Sequence, residues 1–327
     1  MSLVIRNDVI EKLLKLFSQP GSYPTTLIQD FVGVPFKIWR DSLEYLIKSG
    51  LSVEIDKDQL IYISSGFQSA SKVEILRAID RIYAKDLCIV ESHICLNSTN
   101  QSVKEALKDK RQPILVATDY QFLGKGQAGR SWLSPPGDSL LFSLGISLKE
   151  DIANLRMVSL MIGTIIHRYL IKKGYRDLQV KWPNDIYCRG KKLCGILVET
   201  VINPVGKVDL IMGIGLNLKS VWQLSLAKDI SAIGLQECSD QVIDKSLLIG
   251  ELTAEMLISF ESRYYKDNSS ITDYINNFNY LNNKRAVIEA ENSKLVGIIH
   301  DVTHDGGIQL ITNGHMSIIY SGSIHLI

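Results

Sequence analysis

Several short stretches of this chain carry glycines and charges in patterns that a packed core does not need. The first reads Gly124-Lys125-Gly126-Gln127-Ala128-Gly129-Arg130-Ser131-Trp132 and follows an apolar run at 114–118. It fits G-x-G-x-x-G, the dinucleotide fingerprint, but that fingerprint has to open a helix. Pro135-Pro136-Gly137 arrives six residues after Gly129 and forbids a helix of useful length, so the stretch reads as a loop. Its glycines let the backbone approach a ligand closely, and Lys125 and Arg130 supply positive charge. The plainer reading is a solvated basic turn; against it stands Trp132, bulky and apolar, at the far end.

Lys181-Trp182-Pro183-Asn184-Asp185 and Lys192-Leu193-Cys194-Gly195 lie on either side of Arg189-Gly190, which reads as a two-residue hairpin turn. A continuous strand over 179–187 would pair Tyr187 with Lys192, Asp185 with Cys194 and Lys181 with Val198. Lys181, Asp185 and Lys192 then share a face, unless Pro183 makes a bulge and shifts the register. Such a face is either an edge hairpin with solvated lysines or a place where cations gather around an anionic reactant. Gly213-Ile214-Gly215-Leu216-Asn217 ends another expected strand, and its glycines allow close backbone approach. Ser98-Thr99-Asn100 precedes a helical pattern, where hydroxyls and free amides cap the helix or receive a polar ligand. There is no P-loop and no Ser/His/Asp arrangement, and the six histidines do not cluster with carboxylates.

The elements that would position these residues fall into three blocks, expected at 1–66, 67–270 and 271–327. In the first, Val9, Ile10, Leu13, Leu14 and Phe17 mark one helix, and a second spans about 26–31 with Thr25 as its cap. After Gly33, Pro35 starts a third, whose stripe is Phe36, Trp39, Leu43 and Leu46. Two β-prone stretches flank 56–59 as a hairpin, completing a winged helix-turn-helix pattern. That pattern would place the segment from Thr25 to Glu44, with Lys37 and Arg40, against DNA. The alternative is a packing or dimerisation module, because this block holds seven Lys and Arg against eight Asp and Glu. The middle block alternates strands near 88–92, 114–118, 140–148, 179–187, 192–201 and 208–214 with helices near 72–84, 154–173, 245–265 and 271–280. Short strands with glycine turns follow from Lys284, suggesting a small SH3-like β-barrel. The fold class is therefore α+β with an α/β, mixed-sheet core, in several domains.

At 327 residues, two or three domains are expected. A formal charge of +1 advertises neither nucleic acid nor membrane as a partner. Five scattered cysteines without zinc spacing suit a reducing compartment. With no secretory pattern and no apolar run of membrane-spanning length, a cytoplasmic location is expected.

Taken together and in order, Ser98-Thr99-Asn100, the 124–132 loop, Lys181-Trp182-Pro183-Asn184-Asp185, the 192–199 stretch and the 213–217 stretch resemble the biotin protein ligase family, and the flanking blocks resemble its bifunctional operon-repressor members. The resemblance implies that biotin and ATP, with Mg²⁺, give biotinyl-5′-AMP, which then biotinylates a lysine of a biotin carboxyl carrier protein. Lys192 would lie at the carboxylate–phosphate junction, with Lys181, Asp185 and Arg130 as further catalytic residues. Ser98, Thr99, Asn100 and Gln121 would hold the ureido end of biotin, joined along its length by Gly124, Lys125, Gly126, Gln127 and Gly195. Nucleotide would meet Lys125, Arg130, Trp132, Asn184 and Asn217, with no fixed metal site beyond Mg²⁺ brought by ATP near Asp185. A homodimer and operator DNA are expected partners. A ligase without DNA binding, a lipoate–protein ligase and a non-catalytic regulator are the alternatives. Two departures stand out: Gln127 replaces an arginine that helps many bacterial members retain the adenylate, and the final strand, 321–327, lacks the acidic and arginine residues of some members.

Overall fold

The computed structural model describes residues 5–57, 60–64, 66–83, 88–110, 112–148, 157–202, 206, 208–220, 231–290 and 293–327. Parts of the expected hairpin tip (58–59) and of the helices expected near 72–84 and 154–173 lie outside them.

Three helices open the chain: α1 (Asn7–Phe17), α2 (Thr25–Val32) and α3 (Phe36–Lys48). The apolar spacing of α1 buries Val9, Ile10, Leu13, Leu14 and Phe17 completely. Gly33, at φ 71°, turns the chain between α2 and α3. Thr25 is the first helical residue and Pro24 takes the cap position, so the expected threonine cap does not form. Phe36 also departs from expectation: it is 49% exposed, and Ser42 takes a buried place in the α3 stripe beside Trp39, Leu43 and Leu46. β1 (Gly21–Tyr23), β2 (Glu54–Ile55) and β3 (Ile61–Ile63) form a small sheet in the order β1-β3-β2. The sequence hides β1, because Pro20-Gly21 reads locally as a breaker and only pairing with β3 makes it a strand.

The centre is a seven-stranded mixed sheet in the order β4-β5-β6-β10-β9-β8-β7. Its strands are β4 (Ile89–Leu96), β5 (Ile114–Gln121), β6 (Ser139–Leu148), β7 (Leu178–Lys181), β8 (Asp185–Cys188), β9 (Lys191–Ile202) and β10 (Val208–Asn217). Only β4 and β5 run parallel among these pairs. One face carries α4 (Lys72–Ile82), α6 (Val158–Lys172) and α7 (Lys245–Glu261) in the main core. Gly250 of α7 lies so near α4 that a β-carbon would sit 2.5 Å from that of Ala78. The other face receives α5 (Thr99–Ala106), whose Val103 packs with Leu107, Ile114, Val116 and Ile211. Arg263, at φ 57°, follows the end of α7 four residues short of the expected 265. His167 is a core histidine between the Tyr274 hydroxyl (2.8 Å) and the Leu178 carbonyl (3.0 Å).

Helix α8 (Asn268–Asn277) carries the chain to a five-stranded antiparallel sheet, ordered β14-β13-β12-β11-β15. Its strands are β11 (Arg285–Ala290), β12 (Ser293–Val302), β13 (Ile308–Thr312), β14 (His315–Ile319) and β15 (Ser323–Leu326). The expected boundary at 270/271 falls inside α8, whose Ile271 and Ile275 share the main core with Ala286, Ile288 and Ile299 of the terminal sheet. The Trp182 indole donates to the Gly306 carbonyl at 2.9 Å, pinning this sheet to the centre. The N-terminal unit is pinned too. Tyr120 of β5 belongs to its core, with Phe122 packed alongside, and the Tyr120 hydroxyl lies 3.1 Å from both Tyr45 Oη and Ser49 Oγ.

Candidate active site

A cavity of about 160 Å³ opens on the α5 side of the central sheet. Its floor follows from register. Gly213 opposes Ser143 and Leu197, Gly215 opposes Gly195, and Gly195 opposes Asp185. Opposed residues share a face, so the middle of this face carries three glycines and no side chains. A β-carbon on Gly213 would come 2.2 Å from Asn100 Oδ1, and one on Gly215 or Gly195 would come 2.5 or 2.7 Å from the Trp132 ring. The empty floor is filled by those two residues and by the cavity.

One end is neutral. The Thr99 amide, at the start of α5, donates to Gln121 Oε1 at 2.8 Å. Ser143 Oγ lies 2.6 Å from both Thr99 Oγ1 and Asn100 Oδ1, and Asn100 donates to Glu199 at 2.6 Å. Ser98 caps the helix without a side-chain cap bond and lines the cavity. The network fixes these side chains, which fits recognition of an uncharged polar group.

The other end is charged. Lys192 Nζ meets Asp185 Oδ1 at 2.7 Å and lies 5.5 Å from the Trp132 ring centroid. Lys125 and Arg130 face it from the glycine-rich loop. That loop folds back on itself: Trp132 N donates to Gly124 O at 2.8 Å, and Gly126 N to Arg130 O at 2.6 Å. Ala128 and Gly129 turn its tip with φ of 52° and 72°, as a loop rather than a helix start. The Trp132 indole N–H is buried and has no hydrogen-bond partner among the described residues.

The sequence-based register needs correction. Residues 179–187 form two strands, β7 and β8, folded back at Trp182-Pro183-Asn184 with a cis Trp182–Pro183 bond. Lys181 therefore opposes Asp185 and not Val198. A bulge beyond Ile186 keeps Tyr187 opposite Lys192 but moves Asp185 from Cys194 to Gly195. Lys181, Asp185 and Lys192 still share the face.

Of the expected site residues, Ser98, Thr99, Asn100, Gln121, Lys125, Gly126, Gln127, Arg130, Trp132, Asn184, Asp185, Lys192, Gly195 and Asn217 line the cavity. Asn184 donates to Ile196 O at 2.6 Å and Asn217 to Lys192 O at 3.3 Å, so both amides also hold β9 in place. Gly124 lies beneath the lining, and Lys181 donates to Tyr187 Oη at 3.1 Å beside it. Burial pulls the Lys181 pKa below its ordinary value, and Lys192, Arg130 and Lys284 push the same way against Asp185. Lys37 and Arg40 stand on α3, away from this cavity. Ser143 and Ala232 were not singled out from sequence, since a strand-interior serine gives no local signal; Glu199 closes the 192–199 stretch but was given no role there.

Residues 93–217 match the biotin/lipoate A/B protein ligase family, a stretch that contains every cavity-lining residue except Ala232. The bifunctional ligase/repressor BirA of Salmonella typhimurium is 26% identical over 265 residues, covering 80% of this chain and 81% of that protein. The biotin–[acetyl-CoA-carboxylase] ligase of Mycobacterium tuberculosis is 23% identical over 215 residues, covering 64% and 78%. In fold, the chain is similar to the Aquifex aeolicus biotin protein ligase solved with biotin and ATP. There the TM-score is 0.56 and the identity 23%, with 74% of this chain and 99% of that one covered. Residues 93–217 thus carry a biotin/lipoate A/B protein ligase family domain. Taken with these relatives, that domain supports a biotin–protein ligase enzyme.

Proposed function

We propose that the cavity activates biotin with ATP as biotinyl-5′-AMP and passes biotin to a lysine of a carrier protein. The observation that carries this reading is the polarity of one cavity: a fixed neutral network at 99–100, 121 and 143, and cations at the opposite end. The neutral end suits a ureido ring, which both donates and accepts hydrogen bonds, better than the dithiolane of lipoate. The charged end suits a carboxylate meeting a phosphate, two groups that repel until cations neutralise them. Lys192 serves both anions from the junction. Lys125 and Arg130 approach with the loop, and the free indole N–H of Trp132 offers a donor to the nucleotide. Once the adenylate forms, a neutral lysine amine attacks its acyl carbon and AMP departs with the bonding electrons.

Mg²⁺ accompanying ATP fits Asp185, the one carboxylate among the described residues that line the cavity. The cation would supply charge neutralisation on the phosphates, which would provide most of its ligands. Biotin-dependent ATP–pyrophosphate exchange, followed by transfer of labelled biotin to a carrier domain, tests the reading. Absence of exchange overturns it.

The N-terminal unit we read as a winged helix-turn-helix that represses transcription when the adenylate is bound, with residues 25–44 carrying the DNA contact and a homodimer as the binding form. The terminal five-stranded sheet we read as the SH3-like unit, and the three blocks as domains. Ligation without DNA binding is the second reading, supported by the excess of one acidic residue over basic ones in residues 1–66. A mobility shift on DNA upstream of biotin-synthesis genes, with and without biotinyl-5′-AMP, separates the two.

A further inference from the structure

The face that floors the cavity continues past Asp185 to the edge strand β7, and there it meets the approach to the C-terminal sheet. Residues 278–280 run alongside β7: Val180 N donates to Phe278 O, and Tyr280 N to Val180 O, each at 2.9 Å. This places Tyr280 on Tyr187, with ring centroids 4.7 Å apart and planes 25° from parallel. A lysine flanks each ring. Lys181 Nζ lies 4.9 Å from the Tyr187 centroid and Lys284 Nζ 3.4 Å from that of Tyr280. Lys192 stands opposite Tyr187 in the next strand, and Arg130 comes from the loop.

Lys192, Arg130 and Lys284 each lie near enough to Lys181 to disfavour its charge, and Asp185 is the carboxylate set against them. Among the described residues, four cations and one carboxylate leave a surplus of positive charge beside the cavity. Lys181, Lys192 and Lys284 are partly buried and Arg130 is exposed, so cations that repel one another here suit a polyanion. The neutral amine of an incoming lysine brings no negative charge to balance it.

We propose that Lys181 and Lys284, held by the Tyr187–Tyr280 stack, form the subsite for the β- and γ-phosphates of the nucleotide and receive the departing pyrophosphate. The proposal rests on the adenylation reading. In that step a biotin carboxylate oxygen bonds to the α-phosphorus while the bond from that phosphorus to the bridging oxygen breaks. The electron pair leaves on pyrophosphate, and no proton has to move. Lys284 directly precedes β11, so the C-terminal unit reaches the nucleotide through its first strand. That compensates for the charges missing from its last.

The test uses the full-length protein with Lys284→Ala and Lys284→Arg variants. Biotin-dependent ATP–pyrophosphate exchange gives KM for ATP and for biotin, and forward adenylation gives the inhibition constant of pyrophosphate. Lys284→Ala should raise KM for ATP and weaken pyrophosphate inhibition, each about tenfold, the size of one charge-assisted contact. KM for biotin should stay put, and Lys284→Arg should fall within about twofold of wild type on the same scale. An unchanged KM for ATP, a parallel rise for biotin, or an effect confined to KM for the carrier would each overturn the subsite. No exchange by the wild type would remove the ligase reading itself.

Discussion

Two tryptophans divide the molecule into a finished core and an unfinished one. Trp39, fully buried in the N-terminal unit, donates its indole N–H to Gln29 Oε1 at 2.7 Å. Trp132, over the glycine floor, has its N–H buried with no partner among the described residues. A buried donor without an acceptor is costly, so a structural core removes it, as the first unit does. A site that completes itself with a ligand keeps it. The unit around Trp39 is closed within the chain; the cavity around Trp132 is closed by what it binds.

That contrast breaks most directly at Lys192. Lys192→Ala should lower adenylation by about a thousandfold, the loss expected when a group that stabilises transition-state charge is removed, with little change in thermal unfolding. If exchange survives near wild type, the cavity is not the reacting centre. Next come the tryptophans themselves. Trp39→Ala should cost about 3–5 kcal/mol in urea unfolding, as removal of a large core side chain does. Trp132→Ala should cost about 1–2 kcal/mol, because its ring is partly exposed and lines the cavity, while raising KM for ATP. Equal stability losses would erase the distinction.

His167 sharpens it from the side of the closed core. Burial lowers its pKa below the ordinary 6.5, so the unfolded chain takes the proton first. Its contribution to stability is complete above pH 6.5 and is lost as the pH falls toward the folded value. Urea midpoints should therefore drop more steeply in acid for the wild type than for His167→Phe, and matching slopes would contradict this. On the N-terminal surface the effects are smaller. Lys37→Ala and Arg40→Ala should each lower DNA affinity a fewfold and reduce the salt slope by about one. Unchanged binding, or none in the wild type, favours ligation alone. Smallest is Gln127→Arg, which should reduce release of free adenylate, measured as labelling of a bystander protein; equal leakage removes loop position 127 as the cause.

The cavity was legible in sequence because its chemistry demands glycines and cations at fixed spacing within contiguous stretches, from Ser98 to Asn217. What joins those stretches was not. The two-strand fold of 179–187 depends on a reversal at Trp182–Asn184, and the glycine floor on pairing between β9 and β10. Ser143 and Glu199 gain their roles from Asn100, which neither neighbours in sequence. The N-terminal helices followed from apolar spacing, yet β1 needed a partner forty residues away, and Phe36 shows that an apolar residue in the right phase at a helix start still meets solvent.

Tyr120 and Phe122 flank the cavity residue Gln121, Tyr120 lying in the core of the N-terminal unit and Phe122 packing against it. The boundary near residue 66 is thus a boundary of chain, not of packing. A descendant that shed the first 66 residues would inherit two bared aromatics beside its own substrate pocket. Losing the N-terminal unit is therefore not one evolutionary step but at least three: the deletion, and a polar replacement at each ring.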